Sequence, residues 1–171
     1  MGSVLASLAA IVAVAAHAQS APPNLVAIDA KIVTSGQPSA AWLARLEAEG
    51  YEAVVYLAPA TVPDAVRDEP LIVSRQGIVY VNLPIRFDGP TERDFDAFAG
   101  VMQGLRDRKV LVHCQVNLRA SSMTFLYRAI VRREDPAKAY EAVAAVWSPH
   151  DAWMPYLRSM LARHGIAFEP Y

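Results

Sequence analysis

VLVHCQVNLRASS, residues 110–122, decides how this chain is read. The run from Val110 to Val112 has no polar alternation, the pattern of a strand covered on both faces. It ends in His113 and Cys114, the single cysteine of the chain, and Arg119 stands five residues beyond that cysteine. A strand, a short loop and a helix in this order turn successive loop amides towards the helix N-terminus. The result is a concave donor array that suits a tetrahedral oxyanion. The same field favours a thiolate at the strand end. Arg119 adds a cation whose planar fork grips two oxygens of one phosphate. No glycine lies in the loop, but Asn117 is of the few residue types that visit the left-handed region, so a tight turn is still expected. Ser121 and Ser122 are expected to donate to the thiolate or to cap the helix start.

The residues expected to touch substrate are therefore Gln115, Val116, Asn117, Leu118 and Arg119. A lone cysteine is more often a small buried hydrophobe than a nucleophile, and a strand-end Cys with a buried Asn and capping Ser has a plainly structural reading too. The His-Cys-x4-Arg spacing behind a strand weighs towards function.

Outward from this stretch, the chain alternates strand and helix. Lys31–Thr34 reads as a strand, and SGQPS (35–39) as a turn whose Ser39 caps a helix carrying Trp42, Leu43 and Leu46, which Gly50 stops. EAVVYL (52–57) reads as a strand, 64–76 as a short helix and Ile78–Leu83 as another buried strand. Thr91 and Asp94 have the spacing of a capping box, and Phe95, Phe98, Ala99, Met102 and Leu105 share one face of the helix it opens. Beyond the loop, Ser121–Arg132 reads as a helix, and Asp135-Pro136 and Ser148-Pro149 each read as an N-cap followed by a first-turn proline. The expected fold is α/β, with three layers and a mostly parallel central sheet flanked by helices.

Proton transfer to a leaving oxygen calls for a mobile loop carboxylate on the rim where open sheets place ligands. Asp88 meets that need: it lies 26 residues before Cys114, beside Gly89 and Pro90. Asp94 is explained as the partner of Thr91, and Asp96 as solvated. His113 is expected to orient the loop from behind through ring hydrogen bonds, because neighbouring strand residues face opposite ways. His150 and Asp151 read as a helix start rather than a dyad, Trp147 and Trp153 as core, and Arg128, Arg132 and Arg133 as a solvated helix face. Four His and one Cys without paired spacing give no metal site.

Among 171 residues, 16 basic side chains against 17 acidic ones give no sign of a nucleic-acid or anionic-membrane surface, so any anion site is expected to be local. MGSVLASLAAIVAVAAHA, residues 1–18, is uncharged and apolar and ends in a small-x-small pattern, so it reads as a signal peptide. The expected organisation is residues 1–18 as signal peptide, 19–30 as a flexible segment and 31–171 as one catalytic domain. The mature protein is then exported, in all expectation to the periplasm, without stable membrane association.

HCQVNLRAS resembles the signature of the cysteine-dependent protein tyrosine and dual-specificity phosphatase superfamily: His-Cys, a loop, Arg, then Ser or Thr. SGQPS, a helix and GYEAVVYL resemble the N-terminal half of a bacterial branch of it, the protein tyrosine phosphatase-like proteins. The likeness runs from about Lys31 to Trp153. It implies a cysteine-phosphatase-like fold and a phosphoric monoester hydrolase without cofactor, acting on a phosphorylated protein or a small phosphoester. It also implies Cys114 as the nucleophile that becomes phosphocysteine, Arg119 as phosphate binder, Ser121 as helper of the leaving thiolate and an upstream aspartate as general acid. The loop departs from the pattern, with four residues between Cys114 and Arg119, one fewer than usual. That length resembles the rhodanese sulfurtransferases, whose cysteine carries a persulfide. Sulfur transfer and a non-catalytic phosphate- or phosphoprotein-binding module stay open beside hydrolysis, while Ser121 at seven residues past Cys114 and the SGQPS half favour the phosphatase.

Overall fold

A computed structural model describes residues 20–171; the signal-peptide reading of 1–18 lies outside the described residues. The elements run β1 (Val26–Ala27), β2 (Ile32–Ser35), α1 (Ala40–Leu43), β3 (Ala53–Tyr56), α2 (Glu69–Ser74), β4 (Val79–Asn82) and α3 (Glu92–Gly104). They continue with β5 (Val110–His113), α4 (Leu118–Leu126), a π-helical turn (Tyr127–Val131), α5 (Pro136–Ala144) and α6 (Trp153–Arg163). The sheet order is β1-β2-β5-β3-β4, with β1 antiparallel and the other pairs parallel. β5 lies at the centre with all four residues buried, as its unbroken apolar run requires.

Alternation along the strands builds the three layers. Val33, Val54 and Leu111 face Trp42, Leu43, Leu46 and Val73 on one side. Ile32, Val55, Val110, Val112 and Cys114 face the α3–α6 side, where Phe98, Met123, Phe125, Tyr140 and Leu157 fill the core. The expected three-layer α/β architecture is present. Thr91 closes a reciprocal capping box with Asp94, and Asp135 caps α5 by accepting from the amides of Ala137 and Lys138.

Several elements differ from expectation. The segment read as flexible holds β1, and Pro23 accepts from the Gly36 amide at 2.6 Å, because β2 would otherwise present an unpaired edge. β4, expected to be buried, is the opposite edge strand, with Val79 37% exposed. The helices after Ser39 and Asp64 shorten to α1 and α2 because the flanking residues close turns instead. Helix α4 starts at Leu118, three residues before the expected start at Ser121, since Asn117 turns the chain directly into it. The 148–152 segment does not open a helix: Asp151 takes a left-handed φ of 47°, and α6 starts at Trp153. Arg128 and Arg132 are not a free solvated face, since Arg128 pairs with Glu134 and Arg132 with Asp29 and Glu134, each at 2.7 Å.

Candidate active site

The parallel register sets Ser35, His113 and Tyr56 side by side at the carboxyl ends of β2, β5 and β3. Cys114 is the next residue on the central strand, at the rim where open α/β sheets hold their ligands. It is 1% exposed, and its amide donates to Ser35.

Asn117 adopts φ 72°, the left-handed turn expected of it, and caps α4 from there. Its side chain is committed elsewhere: Nδ2 donates to the Asn24 carbonyl at 2.6 Å and to Thr34 Oγ1 at 3.0 Å. Asn24 Nδ2 returns a bond to the Val116 carbonyl. The segment expected to be flexible thus buttresses the loop, and Asn117 shapes the cradle without offering its side chain to a substrate. The Gln115 carbonyl is also turned outwards, accepting from the Gln37 amide at 2.9 Å. With these carbonyls held outside, the amides of Gln115, Val116, Leu118, Arg119 and Ala120 make no backbone hydrogen bond among the described residues. They are donors without acceptors at a helix N-terminus, the condition of an anion site.

Gly36 makes that clamp possible. A Cβ there would sit 2.8 Å from the Gln115 carbonyl oxygen and 3.0 Å from the Val116 Cα, both backbone of the cradle. Gly36→Ala is therefore expected to push the loop out of place; a displacement near 1 Å lowers kcat/KM about 100-fold. Steady-state kinetics beside a far-ultraviolet spectrum that stays native would show it.

Arg119 is 7% exposed. Its Nε donates to the Ile85 carbonyl at 2.9 Å, its guanidinium lies 5.1 Å from the centre of the Phe87 ring, and Nη1 reaches Gln115 Oε1 at 3.4 Å. No carboxylate pairs with it among the described residues. A buried, uncompensated guanidinium is costly, and the amide array beside it shares the same demand for an anion.

Asp88 lies in the loop that these contacts anchor. Ile85 and Phe87 are tied to Arg119, and the Phe87 carbonyl accepts from Trp153 Nε1 at 2.9 Å. The carboxylate itself is exposed and held by Arg86 through two bonds of 3.1 and 2.8 Å. The Arg86 hydrogen bonds and charge keep it below the usual carboxylate range, hence ionised in this state. Ser121 Oγ donates to the Leu118 carbonyl at 3.2 Å, while Ser122 Oγ is buried with no partner among the described residues.

His113 faces away from Cys114, as alternation demands, but its ring does not bond the loop. Nε2 meets Glu69 Oε1 at 2.6 Å, and the ring stacks on Tyr56 at 4.6 Å. Glu69 Oε2 accepts from Gln37 Nε2, and the Gln37 amide holds the Gln115 carbonyl, so His113 reaches the loop only through this relay. Glu69 is 2% exposed and was not legible as a site residue, because nothing near it in sequence marks it as a partner of residue 113. Glu69→Ala leaves His113 buried without its carboxylate and is expected to cost about 3 kcal/mol. Calorimetry should record a fall in Tm of roughly 10 °C.

Asp64 is the second residue that sequence reasoning missed. It accepts from Gln115 Nε2 at 2.8 Å, so the Gln115 amide spans from Asp64 to Arg119 at the cradle mouth. Burial, then the charges of Glu69, Asp64 and Cys114, push the Tyr56 hydroxyl up to about 12, which keeps it neutral beneath the site.

Solved structures share this fold. A DUF442 phosphatase-family protein from Shewanella putrefaciens superposes with a TM-score of 0.75 at 26% identity, over 84% of this chain and 94% of that one. PTPMT1, solved in complex with PI(5)P, superposes with a TM-score of 0.65 at 16% identity over 82% and 96%. TpbA from P. aeruginosa, a cysteine-to-serine variant solved with pTyr, gives 0.58 at 21% identity over 81% of each chain. The last two show the common fold. No curated protein matches by sequence. The family described as DSP-PTPase phosphatase fused to NAD+ kinase matches residues 5–150, and with its cysteine at the head of the anion cradle the chain belongs to that family of cysteine-dependent phosphatases.

Proposed function

We propose that the protein hydrolyses phosphate monoesters through a phosphocysteine on Cys114. The observation that carries this reading is the buried Arg119, without a carboxylate partner among the described residues, set beside unpaired loop amides on the loop that Cys114 begins. The Cys114 thiolate attacks phosphorus, an S–P bond forms as the P–O bond to the leaving group breaks, and the equatorial oxygens rest on Arg119 and the loop amides. Asp88 gives its proton to the leaving oxygen. Water then attacks phosphorus, the S–P bond breaks, Asp88 takes the proton and phosphate departs.

In the resting state Arg86 holds Asp88 ionised. A bound phosphate dianion repels that carboxylate and raises its proton affinity, so Asp88 becomes an acid only with substrate in place. Asp88→Asn is expected to lower kcat about 100-fold and to remove the basic limb of its pH profile. A pH–rate series on an aryl phosphate checks both.

The substrate class is a phosphorylated protein or small phosphoester. The pTyr and PI(5)P of the TpbA and PTPMT1 structures each carry a phosphate monoester group. Export to the periplasm fits the apolar 1–18 segment, and fractionation of cells expressing the full chain tests it.

The decisive experiment is turnover of an aryl phosphate by purified protein with inhibition by vanadate. Absence of both withdraws the reading. The four-residue loop favours sulfur transfer as a second reading. Incubation with thiosulfate would then add about 32 Da, one sulfur, to Cys114. Binding of phosphate by the wild type with neither chemistry would leave a phosphate-binding module.

A further inference from the structure

A cavity of about 480 Å³ opens at the opposite end of the sheet from Cys114. It lies where β2 and β5 begin, and α3 and the π-helical turn close its sides. Its aliphatic floor comes from Ile32, Met102, Leu105, Val110 and Val131. Lys31, Arg106, Arg108 and Arg132 line it as well, against one carboxylate, Asp29. Lys31 and Arg106 reach Asp107 only at 3.8 and 3.6 Å, Arg132 pairs with Asp29 and Glu134, and Arg108 has no carboxylate partner among the described residues. The volume is that of a small-molecule site.

The backbone is also irregular here. The Arg132 amide bonds the Tyr127 carbonyl five residues back, so the helix widens where Tyr127, Val131 and Arg132 line the cavity. Turns of this kind cost helical regularity and recur at functional sites. The one aromatic ring of the lining, Tyr127, is 4% exposed and offers no open face for a stacked base.

From the aliphatic floor and the surplus of guanidinium groups at its rim, we propose that this cavity binds a small aliphatic carboxylate: the chain on the floor, the carboxylate held by Arg108 and Arg106. Guanidinium forks match carboxylate geometry, and a concave site of this volume holds a single chain. The site is independent of the phosphatase reading, because none of its residues belongs to the cradle.

Titration calorimetry of the full chain with decanoate tests it, with decanol, Arg108→Glu and Val131→Trp as controls. Saturable one-site binding of decanoate is expected, weakened roughly tenfold in Arg108→Glu and for decanol, the effect of one charge-assisted pair. Val131→Trp should abolish it by filling the cavity. Aryl phosphatase activity, if present in the wild type, should persist in both variants, which shows that they fold. No saturable binding, equal affinity for decanol, or unchanged affinity in Arg108→Glu overturns the proposal. Binding to phosphatidylglycerol vesicles without binding of decanoate overturns it in favour of a membrane surface.

Discussion

Cys114→Ser is expected to lose aryl phosphate turnover by roughly 10⁴-fold or more while still binding phosphate and vanadate. The two side chains are close in size, and Cys114 is 1% exposed at the end of a fully buried strand, so the exchange leaves the loop where it is. The chemistry changes instead: a hydroxyl is far less acidic than a thiol, no base bonds the residue 114 side chain among the described residues, and alkoxide is not available at neutral pH. Loop amides and Arg119, which hold the anion in the proposed mechanism, are untouched. Stopped assays with phosphate-binding calorimetry on one preparation measure both effects. A serine variant that still turns over at wild-type rate removes the phosphocysteine. One that folds yet no longer binds phosphate removes the cradle.

Arg119→Lys should lower kcat/KM by roughly 10²- to 10³-fold, with most of the loss in kcat. In the proposed mechanism Arg119 performs two tasks at once. Its Nε is fixed to Ile85 and its plane lies by Phe87, which orients the remaining N–H groups as a preset pair. Lysine keeps the charge but is a point donor, so it cannot hold Ile85 and also present two parallel bonds to a phosphoryl group. The equatorial oxygens of the transition state carry charge that the fork meets without reorganisation, whereas lysine must be ordered first. Full kinetics beside a thermal melt separate this from a folding defect. If Arg119→Lys stays within about threefold of wild type, the bidentate grip is wrong.

Gly36 and Glu69 extend the same logic outwards. The cradle is a loop of four residues between Cys114 and Arg119 clamped from three directions, by Gly36 and Gln37 of β2's end, by Asn24 and by Asp64. A shorter ring has less slack, so its shape rests on these outside bonds. SGQPS, which looked like a simple turn, supplies the Gly whose missing Cβ admits the loop and the Gln that links His113 and Glu69 to it.

Much of the local structure around the loop was legible in the sequence. An apolar run without alternation has few alternatives to a central strand, and β5 is one. Asn117 was the one non-glycine loop residue suited to a left-handed turn, a property of its own side chain, and it takes φ 72°. The Thr91–Asp94 box and the Asp135 cap form within one helical turn for the same reason. Asp88 was readable as a rim carboxylate, but not its pairing with Arg86. At Ser148-Pro149 the local rule failed, because Asp151 turns left-handed and Trp153 is drawn under Phe87 by a bond to its carbonyl.

What this sequence determined by itself is short-range: which runs form strands, where helices are capped, and that Cys114, Asn117 and Arg119 fall together at one strand-to-helix junction. Those follow from preferences of side chains within a few residues of one another. Only the tertiary structure decided which distant groups complete the site. Asn24 meets Val116 across 92 residues, Asp64 meets Gln115 across 51 and Glu69 meets His113 across 44. Each partner is an ordinary polar residue in its own neighbourhood, and each becomes specific only where the parallel sheet brings strand ends together and burial makes an unmet hydrogen bond costly.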